Sequence, residues 1–467
     1  MADRVQQVKE ETVVSSENQI IHGVIWKQLL LFFFPILLGT FFQQIYNTAD
    51  TMIVGRFVGT KALAAVGSTG TFQNLIVGFF VGLSSGGTVI ISQFFGGNDS
   101  ENVGRAVHTA IALSLVGGAA IMLVGYVSAP AMLRLMNTPE DVLEPAVSYV
   151  RICFLGIIPV LIYNIGSGIL RAIGDSRRPL YFLIISCLSN IVLDLLFVGV
   201  FRWGVNGAAF ATIVAQGFSA FLILRLLSKS RESYRFRVKE LRFDGSILKN
   251  IIRIGLPAGL QSILYSISNL IVQRSVNGFG TTTVASWTVF ARVDSVYWMI
   301  IGAFGVAITT FVGQNFGAGK IDRVKKSVSV CLWITMGAAA ALSVLLFFAC
   351  TPIIRLFTAD VDVQALSIWC MKHYCPFYCI FVVVEIYSGA MRGVGEALIP
   401  TLITAIGVGV LRILWVLVYL PLHYSLLTLL MTYPVTWLIT ASAFLFYYHK
   451  GHWLQRRIHA ASINKAL

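Results

Sequence analysis

The sequence predicts an all-α integral membrane protein in which twelve transmembrane helices form two six-helix lobes. Three observations lead to this fold class. Of the 467 residues, 57% are hydrophobic and only 12% are charged, whereas soluble domains carry about 25% charged residues. Long, nearly uncharged runs recur along the chain, and the second half of the chain repeats motifs of the first half.

The uncharged runs are long enough to cross a bilayer. A span needs roughly 20 mainly apolar residues for a hydrocarbon core of about 30 Å, and the runs 182–200 and 402–420 meet that need. Backbone groups in lipid require internal hydrogen bonds, so these runs are helices. The period-two alternation of a transmembrane barrel is absent. The twelve predicted spans are 26–52, 62–92, 104–127, 146–169, 180–200, 205–227, 250–273, 284–312, 327–349, 364–390, 399–420 and 425–448.

An internal repeat divides these spans into two equal groups. Motifs of the first half recur 221 residues later, since 314 − 93 = 221 and 392 − 171 = 221. Six spans per half is an even number, so both halves enter the membrane in the same direction, and a pseudo-twofold axis along the membrane normal relates them. The matching motifs are Gln93-Phe-Phe-Gly96 with Gln314-Asn-Phe-Gly317, Arg171-Ala-Ile-Gly174 with Arg392-Gly-Val-Gly395, and Pro179 with Pro400.

The repeat and the charge distribution together predict the domain organisation. A cytoplasmic N-terminal segment (1–25) precedes the N-terminal lobe (26–227), and a basic cytoplasmic linker (228–249) leads to the C-terminal lobe (250–448) and a cytoplasmic tail (449–467). With the N-terminus placed inside, 25 of the 35 Lys and Arg residues fall on the cytoplasmic side and six on the outer side. This asymmetry predicts a multi-pass protein of the cell (inner) membrane with both termini cytoplasmic.

The net charge of +14 would suggest a nucleic-acid partner in a soluble protein. Here the basic residues lie mostly between hydrophobic runs, where the orientation of a membrane protein accounts for them. The sequence therefore predicts a lipid bilayer as the environment of the chain and no nucleic-acid partner.

Acidic residues inside spans are functional candidates, because a charge at the bilayer centre costs at least about 2.5–3.5 kcal/mol. Asp50 in span one and Asp194 in span five lie at matching depth in the outer half of the membrane. Tyr46 and Asn190 lie four residues earlier on the same helix faces, and Thr212 lies at similar depth in span six. Hard cations prefer oxygen ligands, and a proton suits a buried carboxylate. These residues predict a cation-coupling site, with an interfacial acid or a structural hydrogen-bond cluster as the alternatives.

The repeat provides an internal control for this prediction. The second half has lost the polar set and still has the same pattern of spans, so the architecture itself does not require these groups. The counterparts are Leu411 for Asn190, Trp415 for Asp194, and Ile271 or Val272 for Asp50.

Two further acids lie in spans of the second half. Glu385 in span ten corresponds to Asn164, and Asp294 in span eight corresponds to Gln73. We expect Glu385, Asp294 and Gln73 to line the substrate cleft between the lobes. For Asp294, a local ion pair with Arg292 is the alternative.

Prolines interrupt the backbone hydrogen bonds of two corresponding spans. Pro35 lies in span one and Pro257 in span seven. A fixed kink is one interpretation. The other is a conformational hinge, which in span one would link the bend of the helix to the state of Asp50.

These motifs together resemble the multidrug and toxic compound extrusion (MATE) family, and the resemblance covers essentially the whole chain. It implies two six-helix lobes around a V-shaped cleft that export drugs or metabolites against an inward flow of H⁺ or Na⁺. It implies no enzyme activity, and no cofactor beyond the coupling ion. The resembling segments are Gly313-Gln-Asn-Phe-Gly-Ala-Gly319, the Leu-Arg-x-x-Gly-type motifs at Leu170 and Met391-Arg392, and Asn47-Thr-Ala-Asp50.

The resemblance to the prokaryotic DinF-like branch also implies the residues of a cation site. That branch uses an acid on helix one, Asn and Asp on helix five, and Thr on helix six. Other members carry a Glu on helix seven, but residues 255–278 contain no acid, so a second cation site of that type is not expected. The matching positions are Asp50, Asn190, Asp194 and Thr212, which would also hold a Na⁺, with Tyr46 and Asn164 nearby.

The candidate acids of the cleft outnumber its bases, which favours cationic or neutral amphipathic organic cargo. We also expect the transporter to act as a monomer. A flippase for lipid-linked precursors, with a related fold, is the alternative function. Such proteins tend to have additional spans and a basic central cavity. No zinc-protease motif, nucleophile elbow or phosphate loop indicates an enzyme, and no filter motif indicates a channel.

Overall fold

The computed structural model of the chain describes residues 18–135 and 140–466, with the backbone alone for 60–75, 135, 141–142 and 460–466. Throughout these residues the regular elements are helices. Eleven helices are long and apolar enough to cross a membrane, and one bent pair of helices brings the number to twelve. The predicted all-α membrane fold is therefore confirmed.

The first half of the chain forms one short helix and seven long ones. Residues Arg177–Asp194 of the seventh helix are α-helical, and Leu195–Val200 continue it as a π-helix. The helices are α1 (Gln19–His22), α2 (Ile25–Phe57), α3 (Thr60–Gly96), α4 (Ser100–Leu135), α5 (Glu140–Leu155), α6 (Ile157–Ala172), α7 (Arg177–Val200) and α8 (Gly204–Lys229).

The second half begins after a linker that runs from Ser230 to Asp244. We call the membrane face that carries this linker the linker face. Each half has an even number of spans, so both halves begin and end at the linker face. The helices are α9 (Gly245–Asn277), α10 (Thr281–Gly317), α11 (Ile321–Arg355), α12 (Val361–Gly393), α13 (Leu398–Leu422), α14 (Leu426–Lys450) and α15 (Trp453–Ala466).

The fourth span, expected as one helix, is bent. Helices α5 and α6 meet at an angle of 45° around Gly156, where a side chain would press against Ile213 of α8. In the second half, a 3-10 turn that contains Pro376 interrupts α12 at the corresponding place. Helices α2 and α9, in contrast, run without a break through Pro35 and Pro257, so the hinge at these prolines stays a prediction.

Several helices are much longer than the bilayer requires. Helix α10 has 37 residues, which corresponds to about 55 Å at 1.5 Å per residue, whereas the hydrocarbon core is about 30 Å thick. The predicted spans end before the helices do, because hydropathy reports only the part that lies in lipid. The ends of α3 and α10 therefore extend beyond the hydrocarbon at the linker face.

The two halves meet mainly along α3 and α9, where the helix backbones approach each other closely. Gly82 and Gly86 of α3 face Gly255 and Gly259 of α9, and we call this contact the glycine seam. A Cβ atom on Gly82 would lie 2.5 Å from the Gly259 nitrogen, and one on Gly255 would lie 2.9 Å from Leu83 Cα. Lipid tails are as apolar as side chains, so helices in a membrane associate through such close packing of small residues.

The linker is bound to the N-terminal half by hydrogen bonds to α4. The backbone N–H of Arg237 donates to Nε2 of the buried His108 (3.0 Å). The backbone N–H of Asp244 donates to Thr109 Oγ1 (3.1 Å), and the Asp244 carboxylate pairs with the Arg105 guanidinium. The linker therefore follows the surface of the first half as far as its last residue.

Asp244 also starts the second half, because its side chain caps the N-terminus of α9. One carboxylate oxygen accepts hydrogen bonds from the backbone N–H groups of Ser246 and Ile247. Hydrogen bonds from Ser246 and Ile247, together with the Arg105 guanidinium, hold the pKa of Asp244 well below its usual range. The carboxylate is thus kept ionised, the form that both the cap and the ion pair require.

The glycine seam generates a prediction about stability. In Gly86→Ala the new methyl group meets the backbone of Ile251 and Gly255, and overpacking of this kind costs about 1–3 kcal/mol. Gly217→Ala on α8 is the matched control, since a Cβ there meets nothing within 4 Å and alanine raises helix propensity by about 1 kcal/mol. We expect the thermal unfolding temperature in detergent, followed by tryptophan fluorescence, to fall for Gly86→Ala and to hold or rise for Gly217→Ala. Equal unfolding temperatures would contradict a tight seam.

Candidate functional site

The two acidic residues within the spans of the first half lie in the interior of that half, towards the membrane face opposite the linker. Asp50 is seven positions before the end of α2 at Phe57, and Asp194 ends the α-helical part of α7. Asp194 is fully buried and Asp50 is 9% exposed. Their carboxyl groups are close enough for a hydrogen bond between them. We call Asp50 and Asp194 the acid pair.

Few hydrogen-bond donors reach the carboxyl groups of the acid pair. Both carboxylate oxygens of Asp194 and Oδ1 of Asp50 are buried and receive no hydrogen bond from the described residues. An ionised carboxyl group can only accept hydrogen bonds. Two such groups in contact therefore need a proton or a cation between them to avoid a large electrostatic penalty.

The other predicted residues of this site surround the pair with oxygen and nitrogen atoms. Tyr46 Oη donates a hydrogen bond to Thr212 Oγ1 over 3.1 Å, which joins α2 to α8. Asn190 is fully buried one turn before Asp194, and neither atom of its amide has a partner in the described part of the chain. An unpartnered buried amide is costly, so its oxygen is available to a bound cation.

Asn164, also predicted for this site, uses its amide nitrogen within its own helix. Its Nδ2 donates to the Val160 carbonyl of its own helix over 2.8 Å. The sequence reasoning overlooked Tyr149 on α5, a buried side chain that packs in one cluster with Val54, four residues after Asp50 on α2. No motif marked Tyr149.

A local departure from α-helical geometry follows Asp194 directly. Residues Leu195–Val200 form a π-helix, and Trp415–Tyr419 of α13, which correspond to them in the repeat, also form one. Such stretches are rare and frequent at functional sites. Since the second half has Trp415 in place of Asp194, the irregular backbone belongs to the shared architecture, and only the first half places a carboxylate on it.

The second half encloses a cavity of about 560 Å³ that is rich in aromatic side chains. Helices α9, α10, α12, α13 and α14 contribute to its wall. Its charged residues are Asp294, Glu385 and Arg412, so carboxylates outnumber guanidinium groups. The aromatic residues that line it include Tyr265, Trp287, Trp298, Tyr374, Phe381 and Tyr433.

Asp294 is held by neutral donors of this cavity. Trp298 Nε1 donates to its Oδ2 over 2.8 Å, and Tyr378 Oη donates to its Oδ1 over 2.7 Å. Arg292 is exposed, and the hydrogen bonds of Asp294 come from the two aromatic side chains instead. The carboxylate of Asp294 is therefore positioned at the cavity wall with its negative charge uncompensated by these two donors.

Glu385 and Arg412 lie on other walls of the same cavity. Glu385 packs against Gly305 of α10, and its Oε1 lies 3.7 Å from an Arg392 guanidinium nitrogen. The side chain of Glu385 is 25% exposed, so a solute in the cavity can reach it. Arg412 is 2% exposed. It donates to Asn269 Oδ1 over 3.2 Å, and its guanidinium lies over the Tyr433 ring.

The predicted site residues thus form two groups, one in each half. Asp50, Asp194, Asn190, Tyr46 and Thr212 belong to the first group. Glu385 and Asp294 line the cavity in the second half rather than a space shared by both halves. Gln73 lies in α3, but its side chain is outside the described residues. No group of three or more His, Cys, Asp or Glu side chains suited to a metal ion occurs in the described part of the chain.

Comparison with known proteins agrees with this architecture. The family model MatE matches residues 35–196 and 257–418, so it matches twice with an offset of 222 residues (257 − 35 = 222). The chain is similar to the probable multidrug resistance protein YoeA of Bacillus subtilis (strain 168), with 29% identity over 446 residues that cover 93% of this chain and 95% of YoeA. The probable multidrug resistance protein YpnP of the same organism is 31% identical over 395 residues, 84% of this chain and 87% of YpnP.

A solved structure has the same fold. It is the outward-facing conformation of a multidrug resistance MATE family transporter of the MOP superfamily, which matches with a TM-score of 0.85 and 24% identity and covers 93% of this chain and 98% of that chain. The double match to the family model includes more than half of the residues, and the 31% identity extends over most of the length. The chain belongs to the MATE family of multidrug transporters.

Proposed function

We propose that this transporter exports small organic molecules from the cytoplasm in exchange for an inward flow of H⁺ or Na⁺. Membership of the family makes the chain a membrane transporter of small molecules and not an enzyme. What we propose beyond family membership is the exchange mechanism, its direction and the coupling ion. The observation that carries them is the acid pair, Asp50 and Asp194, buried in contact without a donor from the described residues.

Cation binding at the acid pair would hold two helices together. Asp50 lies on α2 and Asp194 on α7, so a bound cation neutralises repulsion between them, and its release restores that repulsion. If the ion and the cargo favour different conformations, each lowers the apparent affinity of the other by the same factor. That relation is sufficient for exchange, and it requires no direct contact between the two ligands.

Both coupling ions suit the side chains around the pair. A proton needs only the two carboxyl groups. A Na⁺ would take further oxygen ligands, and the unpartnered Asn190 Oδ1 is available for this role, with Thr212 Oγ1 beside Tyr46 as the next candidate. Transport under a pH gradient without Na⁺, and under a Na⁺ gradient at constant pH, separates the two ions.

The cavity of the second half supports cationic or neutral amphipathic cargo. Its volume of about 560 Å³ lies within the usual range of small-molecule sites. Aromatic faces attract organic cations by about 0.5–2 kcal/mol each, and Asp294 and Glu385 add negative charge. The charged residues that line the cavity are two carboxylates and the Arg412 guanidinium, and Glu385 pairs with Arg392 behind the wall. The cavity is therefore not the basic site that a lipid-linked pyrophosphate, the cargo of the alternative flippase, would need.

The proposed orientation places the linker face in the cytoplasm of the cell. The excess of Lys and Arg on that side, 25 against six, supports it through the positive-inside rule. Both termini are then cytoplasmic, and the acid pair lies in the outer half of the membrane, from which an inward-moving ion enters. The glycine seam joins two halves of one chain, so the proposed working unit is a monomer.

The acid pair generates the first functional prediction. Asp50→Asn or Asp194→Asn should reduce export of a fluorescent organic cation to background in proteoliposomes with an imposed pH or Na⁺ gradient. The thermal unfolding temperature should hold or rise in Asp194→Asn, because the new amide supplies the donor that the pair lacks.

Asp362→Asn is the matched control, since Asp362 is an exposed carboxylate at the start of α12. Its export should equal that of the parent protein. Normal gradient-driven export by both Asp50→Asn and Asp194→Asn would place the coupling site elsewhere, and Glu385→Gln would then be the next variant to measure.

The aromatic cavity generates a second prediction. Trp298→Ala removes a ring of the cavity and a donor to Asp294, and should raise the KM for a cationic cargo about tenfold, with a smaller effect on a neutral cargo. Trp298→Phe keeps the ring and should retain most of the affinity. Trp333→Ala is the control, because Trp333 is 70% exposed on α11. An unchanged KM in Trp298→Ala would exclude this cavity as the cargo site.

A further inference from the structure

The two repeated motifs of the sequence, Gln-x-x-Gly and Arg-x-x-Gly, meet at the linker face. Their contacts are separate from the proposed ion and cargo sites. Gln93 lies one turn before the end of α3, and Gln314 one turn before the end of α10. Ala172 ends α6, and Gly393 ends α12. All four positions lie at the linker face, and each glutamine reaches the helix end of the other half.

The contact consists of two reciprocal hydrogen bonds. Gln93 Nε2 donates to the Gly393 carbonyl over 2.7 Å, and Gln314 Nε2 donates to the Ala172 carbonyl over 2.6 Å. The last carbonyls of a helix have no partner within the helix, so each glutamine satisfies an acceptor that the other half leaves open. The donors differ by 221 positions, and so do the acceptors (314 − 93 = 221 and 393 − 172 = 221). We call these two glutamines and their acceptor carbonyls the glutamine latch.

Glycines allow the backbones to come close enough for this exchange. A Cβ atom on Gly96 would lie 2.6 Å from Gln314 Cα, and one on Gly317 would lie 2.9 Å from Gln93 Cα. The third residue after each glutamine therefore has no side chain because the partner glutamine occupies that space. This contact explains the spacing Gln-x-x-Gly in both halves.

The helix ends that accept these bonds also depend on glycine. Gly174 and Gly395, two residues beyond the accepting carbonyls, have φ angles of 96° and 87°, a left-handed conformation that glycine adopts at helix C-termini without strain. It turns the chain away and leaves the carbonyls of Ala172 and Gly393 open to the glutamines. The second repeated motif, Arg-x-x-Gly, thus provides the acceptor for the first.

One half of the latch has an additional support from α1. Asn18 Nδ2 donates to Gln314 Oε1 over 2.9 Å, so both atoms of the Gln314 amide are engaged, and Gln314 is fully buried. The carbonyl of Ile20 in α1 accepts from the Arg323 guanidinium over 3.0 Å. The short helix therefore lies across the junction and fastens to the second half beside the latch.

We propose that Gln93 and Gln314 are the residues that hold the linker face closed and that both hydrogen bonds break whenever this face opens. The bonds join the two halves, so they exist only while the halves are together at this face. A contact present in one conformation and absent in the other sets the equilibrium between them. The inference rests on the proposed exchange mechanism, in which the linker face opens to admit cargo from the cytoplasm.

The test measures distances across the linker face without cargo or an ion gradient. Spin labels on Glu101→Cys and Lys325→Cys, exposed positions at the starts of α4 and α11, report the separation of the halves by double electron–electron resonance. Five of the seven native cysteines are buried, and protein without the two new cysteines gives the background. Leucine keeps the approximate size of glutamine but cannot donate. We expect Gln93→Leu and Gln314→Leu each to increase the open-to-closed ratio about fivefold, and the double variant to increase it further than either single variant.

Gln364→Leu is the matched control. Its Nε2 donates to the Thr358 carbonyl over 2.8 Å at the opposite face and within one half, so its loss should leave the distance distribution unchanged. Asn18→Ala is a milder variant that keeps both latch bonds; it removes the bond to Gln314 and the N-terminal cap of α1, which the Asn18 side chain forms with the backbone N–H of Ile20. It should shift the ratio in the same direction by less, and it keeps the proposal testable if the leucine variants do not fold.

The latch would be overturned if the double variant Gln93→Leu/Gln314→Leu gave the same distance distribution as the parent protein and Gln364→Leu. If only Asn18→Ala folds, the same comparison applies to that variant. This outcome is distinct from failure of the proposed function. If Asp50→Asn and Asp194→Asn still exported cargo, the coupling site would be wrong, whereas the latch distances, measured without ion or cargo, would be unaffected.

Discussion

The close approach of α3 and α9 is the constraint on which the rest of the structure depends. Helices in lipid gain little from burying apolar side chains against one another, so the two halves are held by packing at short distance and by hydrogen bonds. The glycine seam provides the packing, and the glutamine latch adds hydrogen bonds nearer the linker face. Both lie in the half of the molecule near the linker face, whereas the acid pair and the aromatic cavity lie towards the opposite face. Functional groups are thus kept away from the region where the halves are fastened.

The repeat duplicates the architecture but not the chemistry. Both halves have a π-helical stretch at the same place, and both exchange a glutamine at the linker face. Only the first half has the acids of the proposed coupling site, and Trp415 stands where the second half would carry the counterpart of Asp194. The second half has an aromatic cavity instead. In the proposed mechanism the two halves of a duplicated scaffold therefore have different tasks, and coupling acts through the relative motion of the halves rather than through a shared site.

Much of this fold could be predicted from the sequence, because lipid imposes a simple rule on every span. Length and hydropathy were enough to place twelve spans, and the 221-residue offset was enough to pair them. The grouping of Asp50, Asp194, Asn190 and Thr212 followed from their depth and helix faces. The bend at Gly156 was missed because the close approach of Ile213 comes from another helix, and Tyr149 was missed because no motif marks it. The aromatic cavity was also missed, since its rings come from five helices and no spacing within one helix shows that they converge.

The double attachment of Asp244 has a geometric consequence. Its carboxylate forms an ion pair with Arg105 of the first half and also caps the N-terminus of the first helix of the second half. A point that belongs to both bodies can move little relative to either, so any rotation of one half against the other must have its axis close to this residue. The end of the linker then acts as a pivot and not as a flexible connection between the halves. Opening of the linker face would then be a rotation about Asp244 that separates the contacts away from this residue, and not a parting of the two halves along the whole face.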